Sequence, residues 1–244
     1  MTKFIRPSLL ALAVTLSAPM TAHAGDISIS TGVDLVTDYV FRGVSLADTA
    51  VQPYVEASTG NFTAGVWIST GVSDTSASAG DEVDLYASYS FELSDKISTD
   101  VGVTYYHYPQ GGSLFETDDG SAGTYEGYVS LGFDAPLEPS LTAYYDVTLE
   151  AFTVEGGISH SIPMSSKSSF DLGANAGLVD SDGFSYEYGG ASAALTYAVS
   201  DTTSAYLGAN LALSSEDSLN YKNLIAGNGK SSLIGLAVGM STSF

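Results

Sequence analysis

Cysteine is absent from this chain and positive charge is scarce. The 244 residues include no Cys, and 7 Lys and Arg stand against 28 Asp and Glu. The lack of cysteine excludes disulfides, thiol nucleophiles and cysteine metal sites. The formal net charge of −21 disfavours nucleic acid as a partner, because a protein that binds phosphate backbones needs the opposite sign. Only 14% of residues are charged, compared with about 25% in ordinary soluble domains.

The N-terminal segment predicts export. Lys3 and Arg6 precede the apolar run Leu9 to Leu16, and Ala22-His23-Ala24 places small residues where a signal peptidase reads them. We therefore assign residues 1–24 to a cleaved signal peptide and residues 25–244 to one mature domain. No later segment offers about 18 consecutive apolar residues, so no transmembrane helix is expected.

The mature chain alternates apolar and polar residues with a period of two. Val83, Leu85 and Ala87, for example, alternate with Asp84 and Tyr86. This pattern predicts strands that are apolar on one face and wet on the other. Such segments begin near residues 26, 51, 62, 83, 97, 125, 141, 152, 170, 186, 205 and 232, and short connections alternate with mostly longer ones.

We predict an all-β fold, a transmembrane antiparallel up-and-down β-barrel of about 12 strands with both termini periplasmic. A closed barrel pairs every backbone group, so no strand edge faces lipid. The final strand places Phe244 on its apolar parity, which resembles the C-terminal signature of bacterial outer-membrane proteins. We therefore expect this protein to lie in the bacterial cell outer membrane, in contact with outer-membrane lipid. We also expect the barrel-assembly machinery to recognise Phe244. A secreted β-sandwich is the alternative fold, since its strands would also alternate apolar and polar residues.

Several motifs in the first half of the chain resemble one bacterial family. They are Thr37-Asp38-Tyr39-Val40-Phe41-Arg42-Gly43-Val44-Ser45, Val51-Gln52-Pro53, Phe62 to Trp67, Glu82 to Tyr86 and Gly102 to Pro109. Together they resemble the TorF-type porins, the Gcw_chp domain family. The resemblance implies an outer-membrane barrel of porin type, and it implies no catalytic residues and no named substrate. His107 departs from the family pattern, which more often has an aromatic residue there.

The polar parity of the predicted strands is acidic. If apolar residues face lipid, the lumen or selectivity residues are Asp34, Asp38, Arg42, Glu56, Asp84, Glu92, Asp100, Glu126, Asp146 and Asp171. Like charges in a narrow tube of low dielectric focus a negative potential, which favours cations. The alternative is that these acids only bind lumen Tyr, Thr and Ser and solvate a wet interior.

Arg42 is the single base on this parity. It lies four residues after Asp38 on the predicted first strand, and Glu56 on the next strand offers a third partner. The three side chains predict either a charged constriction or, as we favour, a structural ion pair at the rim. The loop from Gly111 to Gly123 is the segment that could fold inward and close the lumen.

Enzyme chemistry has little support in the sequence. His107 is expected at the outer rim on the lipid-facing parity, but no G-x-S-x-G elbow appears and no partner serine follows from spacing. No cofactor and no metal site are predicted, since Glu116, Asp118 and Asp119 lack the spacing of a calcium loop.

The sequence therefore predicts a porin-like channel for passive diffusion of small solutes, with a preference for cations. The alternatives are a closed structural or adhesive barrel and an outer-membrane lipid hydrolase. The oligomeric state is not predicted.

Overall fold

The computed structural model describes residues 27–72, 81–117, 122–219 and 230–244. The predicted signal peptide, residues 1–24, lies outside the described residues. Within these ranges, no helix is long and apolar enough to cross a membrane.

Twelve of the strands form one closed antiparallel barrel. They are β1 (Ser28–Val36), β4 (Ala50–Thr59), β5 (Phe62–Gly71), β6 (Glu82–Ser94), β7 (Ile97–His107), β8 (Gly123–Phe133), β9 (Ser140–Asp146), β10 (Ala151–Pro163), β11 (Ser168–Ser181), β12 (Phe184–Ala198), β13 (Thr203–Ser214) and β14 (Ser232–Ser243). Sequential strands pair, and β1 pairs with β14 to close the ring. The predicted all-β barrel of about 12 strands is confirmed.

The period of two decides which side chains face outward. In β14, Ile234, Leu236 and Val238 are 71%, 53% and 47% exposed, whereas Ala237 between them is 3% exposed. The same alternation runs through the other barrel strands, because successive side chains of a strand point to opposite faces. The outer wall is therefore apolar and the inner wall polar, as an outer-membrane barrel requires.

The barrel has two unlike ends. At the terminal end, the first and last strands meet through backbone bonds between Ile29 and Phe244, of 3.3 and 2.9 Å. The connections of the terminal end are short. At the opposite loop end, long connections follow β1, β5, β7 and β13, whereas those after Asp146 and Ser181 are short, as predicted.

A small hairpin interrupts the path from β1 to β4, and this corrects the sequence expectation. The expectation placed Asp38 and Arg42 on the first strand, but β1 ends at Val36. The chain then forms β2 (Tyr39–Phe41) and β3 (Val44–Ala47), which pair only with each other. Arg42 (φ 46°) and Gly43 (φ 75°) both have positive φ at the tip, as a two-residue type I′ turn requires.

Candidate functional site

The β2–β3 hairpin, residues 39–47, lies inside the barrel, and we call it the plug hairpin. Its Tyr39 ring lies 5.4 Å from that of Trp67 on β5. On the same strand of the hairpin, the Phe41 ring lies 5.8 Å from the Tyr106 ring on β7. Gly43 at the tip lies so close to β12 that a Cβ at this position would be 2.7 Å from the Cβ of Tyr188. Because these contacts lie on the inner faces of widely separated strands, the hairpin crosses the lumen.

Apolar contact holds the base of the plug hairpin. Ala47 packs in a buried cluster with Val36, Ala50, Ala194 and Ala237, which come from four different barrel strands. Burial of these small side chains excludes water from the loop end of the lumen. The hairpin therefore occupies the interior at the loop end of the barrel.

Arg42 reaches across the lumen to an acid on the far wall. Its two terminal nitrogens donate to the two carboxylate oxygens of Glu126 on β8, at 2.6 and 2.8 Å. The two side chains are 10% and 5% exposed. The guanidinium also lies 4.1 Å from the centre of the Tyr144 ring, and the Tyr106 hydroxyl donates to Glu126 at 3.0 Å. A planar cation held by a bidentate carboxylate and an aromatic face is a strong arrangement.

The predicted grouping of Arg42 with Asp38 and Glu56 is wrong. Asp38 accepts a hydrogen bond from the Thr37 hydroxyl at 2.8 Å, and Glu56 accepts one from Tyr86 at 3.1 Å. Loss of hydration raises the pKa of Asp38, an effect that Thr37 opposes and nearby Asp48 reinforces. The reason for the error is local: β1 ends earlier than its alternation suggests, so Arg42 leaves the wall.

Three lumen acids belong to a repeated arrangement across neighbouring strands. In each, an acid, a glycine and a tyrosine lie directly opposite one another on three adjacent strands, and the tyrosine ring covers the glycine so that its hydroxyl reaches the acid. The rows are Asp34–Gly239–Tyr206, Glu56–Gly65–Tyr86 and Glu155–Gly177–Tyr188. The hydroxyl-to-carboxylate distances are 2.9, 3.1 and 2.8 Å respectively.

Glycine is required at the middle of each row because the ring lies on its backbone. A Cβ at Gly177 would lie 2.5 Å from the Tyr188 ring. The glycines of these three rows therefore leave no free space, because tyrosines of neighbouring strands fill it.

The remaining predicted acids also lie on the inner parity. Asp100 accepts from Ser90 and Tyr128, and Asp146 accepts from the backbone N–H groups of Thr148 and Leu149. Asp84 is 1% exposed, and one of its oxygens has no hydrogen-bond partner within the described residues.

Two of these acids lie towards the terminal end. Asp171 accepts from Ser161 at 2.5 Å, and Glu92 is exposed. These two acids are therefore more exposed than Asp84 and Asp100, which are each 1% exposed.

Two further buried acids were not among the lumen residues predicted from the sequence. Glu155 on β10 accepts from Tyr188 and Asn175, and Glu82 opens β6 with the Tyr108 hydroxyl 3.4 Å away. Both have the inner parity of their strands. The sequence did offer a signal for both, because each lies two residues from a polar residue of the same face. That residue is Thr153 for Glu155 and Asp84 for Glu82.

The loop after β7 folds outward where the structure describes it, not into the lumen. Its Phe115 ring lies 5.3 Å from Tyr105, and the Phe115 N–H donates to the Tyr105 hydroxyl at 2.7 Å. Tyr105 has the outward parity of β7, so residues 110–117 cover the outer wall. The possibility that this loop folds inward and closes the lumen is not realised in these residues, and residues 118–121 lie outside the described part.

This loop also explains the environment of His107. The ring is buried, stacks on Tyr105 and lies with Nδ1 2.8 Å from the Ala122 carbonyl oxygen. Within the described ranges, no serine hydroxyl is hydrogen-bonded to it. His160, by contrast, is exposed on β10.

A comparison with protein-family models identifies the family of this chain. A model of the Gcw_chp family, described as bacterial proteins of unknown function, matches residues 20–190. The chain belongs to the Gcw_chp family. The matched range includes the plug hairpin and all the motifs that carried the resemblance, whereas the finer name of TorF-type porin stays a prediction. No curated protein matches this Gcw_chp sequence.

Solved outer-membrane channels share the fold of this Gcw_chp protein. The NanC porin is 13% identical with a TM-score of 0.52, and the KdgM porin is 12% identical with a TM-score of 0.55. Each similarity covers 89% of this chain and 99% of the porin. A COG4313 outer membrane channel from Pseudomonas putida F1 is 11% identical, with a TM-score of 0.51 over 89% of this chain and 94% of that one. Identities this low show the fold alone.

Proposed function

We propose that this Gcw_chp protein is an outer-membrane channel for small solutes that prefers cations, with its termini on the periplasmic side. The observation that carries the proposal is the charge of the inner wall. No barrel strand in the described ranges contains Lys or Arg, and acids line the inner parity from Asp34 to Asp171. A permeating cation would meet a negative potential that a wall of low dielectric strengthens.

The same wall disfavours acidic solutes. One structure of the KdgM porin is a complex with disordered oligogalacturonate, a polymer of acidic sugars. An acidic oligosaccharide inside this barrel would face carboxylates. The guanidinium of Arg42, which could bind it, is already paired with Glu126. We therefore propose a different solute class for this member of the fold.

A second function is favoured by the plug hairpin. A barrel that holds a buried hairpin in its lumen could be a closed structural or adhesive protein, since Tyr39 and Ala47 are 4% and 3% exposed. The two functions differ in one property: a channel conducts once the hairpin is gone. The hydrolase alternative gains nothing from the described surroundings of His107.

Conductance across a planar bilayer tests the proposal. Residues 25–244 are refolded in detergent and inserted under a KCl gradient, together with a variant in which Asn-Gly replaces residues 37–49. This replacement is geometrically suitable because Val36 and Ala50 are directly paired, and a two-residue turn joins such strands. We expect larger and more persistent steps from the variant, with a reversal potential on the cation side.

Charge variants test the cation preference separately. Glu56, Glu92 and Asp171 lie on the inner parity towards the terminal end, and their combined change to Gln, Gln and Asn is expected to reduce cation preference. The matched control changes three exposed acids outside the lumen, Asp134, Asp180 and Glu187. A silent hairpin-free barrel that is folded on a heat-modifiability gel refutes the channel, and anion preference refutes the electrostatic argument.

A further inference from the structure

We propose that the cage holding Arg42 is a binding site for small guanidinium and alkylammonium solutes, and that Arg42 is a tethered occupant which such solutes displace. We call the barrel-wall residues Glu126, Tyr106 and Tyr144 the cation cage. The inference rests on the proposed function and names its solute class. Displacement of Arg42 would also release the plug hairpin and open the lumen.

The cage is built by the wall and not by the hairpin. Glu126 presents both carboxylate oxygens, the Tyr106 hydroxyl holds one of them, and the Tyr144 ring covers the guanidinium at 4.1 Å. These three side chains belong to β8, β7 and β9, which are neighbouring strands. They stay in place when the hairpin leaves. A bidentate carboxylate beside an aromatic face recognises a planar organic cation.

Two further acidic side chains lie close to the cage. Asp84 lies directly opposite Tyr106 across β6 and β7, and one of its buried oxygens has no hydrogen-bond partner within the described residues. Glu82 is buried two residues before it on the same face. One guanidinium therefore lies near three acidic side chains. Such a site favours retention of a cation after Arg42 has gone, because Glu126 would otherwise be a buried carboxylate without its partner.

Because Arg42 is attached to the chain, a free solute must compete with it for the cation cage. Arg42 lies at the tip of a hairpin whose two ends continue into β1 and β4, so it cannot diffuse away. A tethered group acts at an effective concentration of about millimolar or more. A free solute must overcome that concentration in the native protein, but it meets an empty cage when Arg42 is removed.

The chain contains a natural reporter of hairpin position. Trp67 is the single tryptophan of the sequence, is 6% exposed and packs its ring against Tyr39 of the plug hairpin. Withdrawal of the hairpin would expose this indole to a water-soluble quencher. The signal does not depend on ion conduction.

Calorimetric titration with ethylguanidinium chloride tests the cage directly. The refolded R42A variant is expected to bind the cation at least about tenfold more tightly than the native protein, because the tethered competitor is gone. In the R42A background, E126Q is expected to weaken binding by about tenfold or more, because the bidentate charge pair is lost. D180N in the same background is the matched control, since it neutralises an exposed acid outside the lumen, and it should leave binding unchanged.

Trp67 fluorescence tests displacement in the native protein. We expect acrylamide quenching to rise about twofold or more as ethylguanidinium saturates the protein, since solvent reaches an indole once its cover is released. Sodium chloride at equal ionic strength should have no such effect. This measurement holds even if R42A does not fold.

Two outcomes overturn the inference. One is an R42A variant that binds ethylguanidinium no better than the native protein or the E126Q double variant. The other is native Trp67 quenching that is unaffected by the cation. Binding without any conductance would refute the channel and keep the cage, whereas conductance without binding would refute the cage and keep the channel.

Discussion

Loss of the Arg42–Glu126 pair should change how often the barrel is open. Arg42 makes two hydrogen bonds to Glu126 and one contact with the Tyr144 face, all with little solvent. Removing one partner from a buried pair costs about 3–5 kcal/mol. We use the lower value, because water can reach Glu126 as the hairpin moves. R42A should therefore destabilise the closed state relative to the open state by about 3 kcal/mol. At 1.4 kcal/mol per tenfold, the ratio of closed to open barrels falls by about 100-fold.

Single-channel recording measures this ratio as open probability. R42A should raise the ratio of open to closed time by about two orders of magnitude, and R42K by less, because lysine keeps the charge but lacks the bidentate fork. Neither variant introduces new backbone strain, since Arg42 itself already adopts a positive φ. K96A is the control, because it removes a positive charge from an exposed turn. If R42A and K96A show the same open probability, the pair does not hold the hairpin and the reasoning is refuted.

Three further predictions concern the wall and its assembly. G177A should destabilise the barrel by about 1–3 kcal/mol in urea unfolding, because its new methyl group overlaps the Tyr188 ring and the site is overpacked. Y188F should cost a similar amount, about 1–3 kcal/mol, because Glu155 loses a buried hydrogen-bond donor. Deletion of Phe244 should lower the amount of heat-modifiable barrel recovered from outer membranes, whereas F244Y should not.

Each of these predictions has its own control. G127A adds a methyl group on the outer face, where the nearest atom to a new Cβ lies 4.0 Å away, and it should be nearly neutral. Equal destabilisation by G127A and G177A would argue against the packing explanation. An unaltered urea midpoint for Y188F would show that the row hydrogen bond contributes little. Normal recovery without the terminal residue would exclude recognition of Phe244.

The fold was largely predictable because its signal is local. A strand that is wet on one face and in contact with lipid on the other must alternate, and the twelve alternating segments coincide with the twelve barrel strands within a few residues. The parity of each acid follows from the same alternation. The sequence therefore predicted which face carries Asp84, Asp100 and Glu126.

The candidate site was less predictable because its contacts join distant parts of the chain. Arg42 and Glu126 are 84 positions apart, and no spacing in the sequence pairs them. Arg42-Gly43 is not one of the dipeptides that typically signal a type I′ turn, and the alternation of the first strand suggested a continuous wall. The packing of Tyr39 on Trp67 and of Phe41 on Tyr106, together with the Arg42–Glu126 pair, holds the hairpin in the lumen.

By itself, the sequence of this protein determined the barrel, the strand number and the acidic inner parity, since each depends on neighbouring residues alone. The tertiary structure decided which acid Arg42 meets, which glycine lies under which tyrosine, and which loop fills the lumen. These depend on strand register and on packing across the barrel. A displacement of one residue in register would move every side chain to the other face, so those contacts exist only once the ring is closed.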